Sequence, residues 1–124
     1  MSEEARERAL KALETIRCPA ACTEMELHEQ AARAFERFGL CARHEAVLGP
    51  RCRIDFMIGG TGVEIKKSRP RRDALLRQLR RYAACEQVEE LIVVAPRGVD
   101  LPRTVSGKRL TMLSLERLWG ISMP

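Results

Sequence analysis

The chain has 124 residues, and its 22 Lys and Arg residues against 17 Asp and Glu give a net charge of +5. This length fits one domain that buries about two-thirds of its unfolded surface without needing disulfides. No apolar stretch approaches the roughly 20 residues of a membrane span, and the acidic start of the chain is unlike a signal peptide. We therefore expect an intracellular, cytoplasmic protein with no membrane partner.

The positive charge is strongly biased toward arginine. Its planar guanidinium group can bind a phosphate through two parallel hydrogen bonds, so nucleic acid is the acidic partner that this composition favours.

The five cysteines are an odd set with one close pair, Cys18 and Cys22. This pattern is not a disulfide framework, and we expect free cysteines that act as small buried apolar residues. A zinc site at the pair would need two further ligands. The candidates are Cys41, Cys52, His28 and His44.

Two amphipathic helices are predicted before the first strand. Apolar residues at helical spacing indicate a helix over residues 2–16, which Pro19 separates from the rest. Thr23 to Glu26 has the spacing of a capping box, which predicts a second helix over roughly 24–38 that ends at Gly39.

The remaining chain predicts a three-stranded meander, then a helix that leads into a continuous apolar run typical of a central strand. Because a helix before a buried strand implies a crossover, we expect a mixed, five-stranded sheet flanked by helices. The predicted ranges are 41–48 and 54–66 for the meander, 71–85 for the helix, 91–95 and 110–113 for the last two strands, and 115–119 for a closing helical turn.

Segment 54–66 places three charged residues inside two short apolar runs joined by a glycine-rich turn at 59–62. In the first run, three large apolar side chains alternate with Asp55, which predicts a half-buried strand with Asp55 on the opposite face. The second run alternates in the same way around Glu64 and Lys66. The hairpin should therefore carry Asp55, Glu64 and Lys66 on one common face.

Two adjacent carboxylates repel each other, and a divalent cation stabilises their ionised forms. Oxygen ligands favour Mg²⁺, with Mn²⁺ as a substitute, so we expect Asp55 and Glu64 to be metal ligands. A neighbouring lysine such as Lys66 can orient the attacking water or offset charge on a phosphate. This chemistry is that of phosphodiester hydrolysis.

The pattern Asp55, eight residues, Glu64, any residue and Lys66 resembles the motif of the PD-(D/E)xK nuclease superfamily. Ile54 stands where the motif has proline. The predicted order of helix, meander, helix and strand is also that of the superfamily core, so the resemblance covers roughly 23–114.

This resemblance implies one nuclease domain over 1–124, with an α/β (α+β), restriction-endonuclease-like core and an extra N-terminal helix at 1–17. Within the superfamily, this chain would be a small domain with no added recognition module. In that respect it resembles archaeal-type and phage Holliday junction resolvases, which are homodimers that cut four-way DNA junctions. A phage enzyme of this kind would act in the host cytoplasm. The alternatives are a RecB-like exonuclease, a nicking enzyme of a phage or mobile element, a non-catalytic DNA-binding module, and a subunit of a larger complex.

Members of the superfamily often add an acidic residue from the helix before the meander. Helical geometry makes Glu24 a better candidate than Glu26 or Glu29, because Glu24 is nearest in angle to the apolar stripe. Its alternative role is to interact with the helix dipole. His28, one turn later, is either a DNA contact or an ordinary surface histidine.

Two further polar sets flank the motif. Glu45 lies on the preceding strand and faces Asp55 in only one of the possible registers. Gln78 and Tyr82 share a helix face and resemble the Q-x-x-x-Y motif of RecB-like nucleases, which implies an approach to the active site. Alternatively, Tyr82 is a core partner of Leu75.

A dense basic segment follows the motif and is expected to contact DNA phosphates. The chain has one Trp, one Tyr and three Phe, too few for a base-stacking platform, so recognition should depend on backbone and shape. The proposed DNA contacts are Lys67, Arg69, Arg71, Arg72, Arg77, Gln78 and Arg81.

Overall fold

In a computed structural model of the chain, residues 2–17 and 22–116 are described, and they form three helices and a six-stranded sheet. No helix within those ranges is long and apolar enough to cross a bilayer. The helices are α1 (Ser2–Glu14), α2 (Glu24–Arg37) and α3 (Arg72–Ala83), and the strands are β1 (Ala42–Gly49), β2 (Cys52–Ile58), β3 (Thr61–Ile65), β4 (Glu90–Ala95), β5 (Thr104–Val105) and β6 (Lys108–Ser114). The predicted turn at 115–119 starts at Leu115, but 117–119 lie outside the described ranges.

The sheet is open and mixed, with strand order β1-β2-β3-β4-β6-β5. Strands β1, β2 and β3 form the antiparallel meander, whereas β3, β4 and β6 run parallel. Helix α3 makes the crossover from β3 to β4. The mixed sheet flanked by helices is thus confirmed, but it has six strands and not five. The extra strand, β5, is two residues long and pairs with β6 across a turn at Ser106 and Gly107, too short to show an alternating pattern.

Helices cover both faces of the sheet. Helices α1 and α2 share one apolar cluster with Phe56 and Ile58 of β2, whereas α3 belongs to a second cluster that contains Ile54 and Met57. The prediction that β2 is half-buried is therefore wrong, because helices cover both faces of the sheet at this strand. The apolar residues of α1 are used within the first cluster, where they pack against α2.

Local sequence signals determine where the elements around the hairpin begin and end. The capping box is confirmed: the Thr23 side chain accepts the Glu26 backbone N–H, and the Glu26 side chain accepts that of Thr23. The hairpin turn is shorter than predicted and contains only Gly59, with φ of +58°, and Gly60. Gly62 belongs to β3, where a Cβ atom would lie 2.7 Å from the Ile54 side chain.

The cysteines differ from the expectation of free, buried thiols. Cys22 is disulfide-bonded, so it cannot act as a thiolate ligand of zinc. Three other cysteines are free; Cys41 is exposed, and Cys52 and Cys85 are partly buried. A zinc site built on the Cys18 and Cys22 pair is therefore wrong for this structure.

Candidate active site

Asp55 lies where β2 and β3 separate. The antiparallel register ends at the pair Phe56 and Val63, so the next opposed residues would be Asp55 and Glu64. Instead, the Ile65 N–H donates to Asp55 Oδ2 over 2.7 Å. The following N–H, that of Lys66, donates to a carbonyl of β4. The Asp55 carboxylate thus takes the place of a backbone acceptor and is held at the gap between the strands.

Glu64 is a buried carboxylate with two polar neighbours. Its side chain is 6% exposed, and Oε2 lies 3.1 Å from Lys66 Nζ. The other oxygen, Oε1, accepts a hydrogen bond of 3.0 Å from the Tyr82 hydroxyl on α3. Because a buried charge is costly unless it is paired and hydrogen-bonded, these contacts determine where the Glu64 carboxylate lies.

The three residues of the predicted motif interact electrostatically. Burial raises the pKa of Asp55, and the carboxylates of Glu24 and Glu45 add to that increase, whereas the Ile65 N–H and Lys66 oppose it. Burial also raises the pKa of Glu64, and the negative charge of Asp55 raises it further. Lys66 therefore offsets only part of the cost of two ionised carboxylates.

These residues fit a hard divalent cation such as Mg²⁺. Asp55 and Glu64 supply carboxylate oxygens, which are the ligands that Mg²⁺ prefers. A cation between them would offset the desolvation that raises the pKa of both carboxylates and the Asp55 charge that raises the pKa of Glu64 further.

Tyr82 combines the two roles considered for it. Its ring is 2% exposed and packs in the same cluster as Leu75, while its hydroxyl contacts both Glu64 and the Arg53 carbonyl at 3.0 Å. Gln78 Nε2 donates to the same hydroxyl over 2.9 Å. Burial raises the pKa of Tyr82, so the phenol stays protonated and can act as a donor. The Gln78 and Tyr82 pair thus reaches the site through Glu64.

The first turns of α2 bring Glu24 toward Asp55. Glu24, Glu29 and Asp55 all line a cavity of about 610 Å³. Glu26 is engaged in the capping box, and Glu29 lies 3.7 Å from Arg33. Glu24 has an exposed side chain that interacts electrostatically with Asp55, so it is the α2 glutamate closest to the role expected of it.

His28 is not a surface residue. Its side chain is 8% exposed, because it lies between α2 and β1 with Nδ1 3.0 Å from His44 Nε2. Nε2 lies 3.6 Å from Asp55 Oδ2 and 3.9 Å from Glu24 Oε2, without a hydrogen bond. Helical spacing predicts His28 on the side of α2 where it lies, but its burial by a neighbouring strand depends on packing that no local pattern encodes.

Glu45 lies across from Asp55 in the observed register, between the pairs His44 with Phe56 and Ala46 with Ile54. Its backbone has φ of +56°, and its carboxylate contacts Arg53 at 3.2 Å. The sequence predicts His44 only as a candidate zinc ligand beside cysteines, and its position next to Glu45 in the chain is the signal that indicates a role at this site.

The basic residues after the motif are exposed, and two of them have identified neighbours within the protein. Arg72 donates to the Asp100 carbonyl, and Arg81 lines a second cavity of about 370 Å³ beside Gln78 and Tyr82. Two further arginines of that cavity, Arg51 and Arg53, are not among the predicted DNA contacts, because they lie before the motif. The exposed residues of the predicted segment are Lys67, Arg69, Arg71, Arg72, Arg77 and Arg81.

The chain matches no protein-family model, no curated protein and no solved structure.

Proposed function

We propose that the protein is a Mg²⁺-dependent deoxyribonuclease of the PD-(D/E)xK superfamily with a restriction-endonuclease-like fold. The observation that carries this proposal is the convergence of Asp55, Glu64 and Lys66 where β2 and β3 separate. The negative charge of Asp55 raises the pKa of Glu64, and Lys66 Nζ lies 3.1 Å from Glu64 Oε2. The order of α2, the meander, α3 and β4 supports the same family assignment.

Asp55 and Glu64 would hold the metal ion, and Mn²⁺ could replace Mg²⁺. When bound, the ion supplies Lewis-acid stabilisation of the phosphate and makes water a better nucleophile at neutral pH. In the net reaction, a P–O bond forms to the water oxygen and the bond to the leaving sugar oxygen breaks. One water proton ends on that sugar oxygen, and the other stays on the new phosphate oxygen or is released to solvent.

The chain's own residues position the reacting groups. The Ile65 N–H orients Asp55, and Tyr82 and Lys66 orient Glu64. The Lys66 ammonium, with a side chain that is 27% exposed, can reach a phosphate while it contacts Glu64. Its role is to stabilise negative charge that develops on the phosphate and to orient the water.

The basic surface supports DNA as the substrate. Arg51, Arg53 and Arg81 line the cavity next to Tyr82, whose hydroxyl contacts Glu64. Arginines near the cleavage site can bind successive phosphates and direct the backbone toward the carboxylates. Recognition would then depend on shape and charge, which suits a branched DNA.

Within this class, we propose a homodimeric Holliday junction resolvase. A four-way junction offers two symmetric strands, and two active sites related by a twofold axis would cut them as a pair. The apolar face of α1 is packed against α2, so the dimer interface must use other surfaces.

A RecB-like exonuclease is the second candidate. The observation that favours it is the hydrogen-bonded pair of Gln78 and Tyr82, which resembles the Q-x-x-x-Y motif and contacts Glu64 directly.

One experiment tests the proposal and separates the candidates. The protein is incubated with Mg²⁺ or with EDTA on labelled four-way junctions, linear duplex, flaps and single strands. Paired symmetric cuts near the crossover would support the resolvase, and progressive digestion from free ends would support the exonuclease. Binding without cleavage of any substrate, in either Mg²⁺ or Mn²⁺, would contradict a nuclease and favour a non-catalytic DNA-binding module.

A further inference from the structure

A second cluster of metal-ligating side chains lies beside the carboxylate pair. It consists of His28 from α2 and His44 and Glu45 from β1, and one ligand atom from each lies within 4.8 Å of the others. Asp55 and Glu64, the expected Mg²⁺ ligands, are not members. The cluster is therefore separate from the two carboxylates that are proposed to hold Mg²⁺ for phosphodiester cleavage.

The distances within the cluster fit a small transition-metal ion. His28 Nδ1 lies 3.0 Å from His44 Nε2, and that nitrogen lies 3.7 Å from Glu45 Oε2. Ligands that surround zinc tetrahedrally at about 2.0 to 2.1 Å are roughly 3.3 to 3.4 Å apart. Two of the three separations thus lie within about 0.4 Å of that spacing, and binding would draw the ligand atoms of His28 and Glu45, which lie within 4.8 Å of each other, closer together.

The other ring nitrogen of His28 faces carboxylates outside the cluster. Nε2 has no hydrogen-bond partner, although the side chain is 8% exposed and this nitrogen is directed at Asp55 and Glu24. If the Nδ1 atom binds a metal, the ring proton must lie on Nε2, where it points at those carboxylates. A carboxylate that accepts the second N–H of a ligating histidine is the usual arrangement around protein metals.

The backbone of β1 is distorted in the way that the cluster requires. Successive side chains of a regular strand point to opposite faces, so His44 and Glu45 would ordinarily diverge. Glu45 has φ of +56°, a conformation uncommon outside glycine, asparagine and aspartate, and its Oε2 lies 3.7 Å from His44 Nε2. The His44 ring also stacks on Phe56 with centroids 4.7 Å apart, which restricts its orientation.

The ligand types indicate which ions the cluster would take. Imidazole nitrogens favour zinc and related transition metals, whereas Mg²⁺ prefers oxygen ligands. Two histidines and one glutamate also leave a fourth coordination position. That position is adjacent to the cavity of about 610 Å³, so water or a small ligand could reach it.

We propose that His28, His44 and Glu45 form a binding site for Zn²⁺ or a related transition-metal ion, distinct from the Asp55 and Glu64 pair. The site does not depend on nuclease activity. It contacts the proposed active site through His28, whose Nε2 lies 3.6 Å from Asp55 Oδ2. Occupancy would therefore hold the His28 ring and, through it, one side of Asp55.

The test measures binding of Zn²⁺ by calorimetry and of Co²⁺ by visible absorption, using the full chain without DNA. We expect one high-affinity ion and no thiolate-to-cobalt charge-transfer band, which separates this site from cysteine ligation. His44→Ala and Glu45→Gln should each weaken binding by at least about tenfold. Both side chains are about half exposed, at 48% and 49%, so these variants should fold.

Two controls locate the ion. Glu29→Gln changes an exposed residue of the same cavity that is outside the cluster, and it should leave Zn²⁺ affinity unchanged. Glu64→Gln should also retain Zn²⁺ binding, whatever its effect on cleavage. Unchanged affinity in His44→Ala, a thiolate band with Co²⁺, or an equal loss in Glu64→Gln would overturn the proposal. Because no readout involves DNA, the site can fail while the nuclease proposal stands, and the reverse also holds.

Discussion

Replacing Tyr82 by Phe removes one hydroxyl from the centre of the proposed active site and keeps the buried ring. That hydroxyl accepts a hydrogen bond from Gln78 and lies 3.0 Å from both Glu64 Oε1 and the Arg53 carbonyl. It has one proton for two acceptors, and the ionised Glu64 is the stronger one. In the variant, the buried Glu64 carboxylate therefore loses its contact with the Tyr82 hydroxyl and keeps its contact with Lys66.

The expected cost follows from those contacts. Leaving buried polar groups without their partner costs about 1 to 3 kcal/mol, so we expect the free energy of unfolding to fall by about 2 kcal/mol. At roughly 2.1 cal/mol/K of unfolding entropy per residue, 124 residues convert this into a decrease in Tm of about 8 °C. The pKa of Glu64 should rise further, because the Tyr82 hydroxyl lowers it. We also expect cleavage to slow by roughly 10-fold or more, since Glu64 loses an orienting contact.

Thermal and urea unfolding in metal-free buffer measure the stability change, and a double-mutant cycle with Glu64→Gln identifies its source. If the hydroxyl acts through the Glu64 carboxylate, the two substitutions should be non-additive by at least about 0.5 kcal/mol. A Tyr82→Phe protein within about 0.5 kcal/mol of wild type, with additive behaviour in the cycle, would refute the reasoning.

Four further outcomes are expected. Asp55→Asn should abolish Mg²⁺-dependent cleavage while DNA binding, measured by fluorescence anisotropy, stays equal or tightens; near-normal turnover would contradict the assignment. Lys66→Ala should lose most activity yet keep Mg²⁺ affinity by calorimetry, and a loss of affinity equal to that of Asp55→Asn would show that its role is misassigned. Charge removal at Arg53 and Arg81 should make DNA affinity less dependent on salt, and the slope of log affinity against log salt concentration should become shallower by about one unit per lost phosphate contact. An unchanged slope would show that these arginines do not contact phosphates. Because burial raises the pKa of Asp55 and Glu64, the stability linked to their protonation is complete below about pH 4 and is lost as pH rises through their folded pKa values. Metal-free Glu64→Gln should therefore gain stability relative to wild type as pH rises, as measured by urea titrations. A stability difference that stays constant with pH would argue against these pKa shifts.

Several features could be determined from the sequence because neighbouring residues encode them. The capping box at Thr23 and Glu26, the buried strand β4 and the acidic hairpin all depend on spacings of a few residues. The i and i+4 spacing of Gln78 and Tyr82 likewise required that they share a helix face, as their hydrogen bond confirms. In each case, one helical or strand period determines the relation between the side chains.

Other features depended on the tertiary structure, because contacts between distant segments decide them. At the gap where Asp55 accepts the Ile65 N–H, β3 is no longer paired with β2 but stays paired with β4, about 30 residues later in the chain. The burial of His28 and its contact with His44 require α2 to pack on β1. No local pattern specifies strand register or helix docking, since both are selected by the packing of the whole core. The sequence by itself therefore determined which residues could do chemistry, and the tertiary structure decided which of them meet.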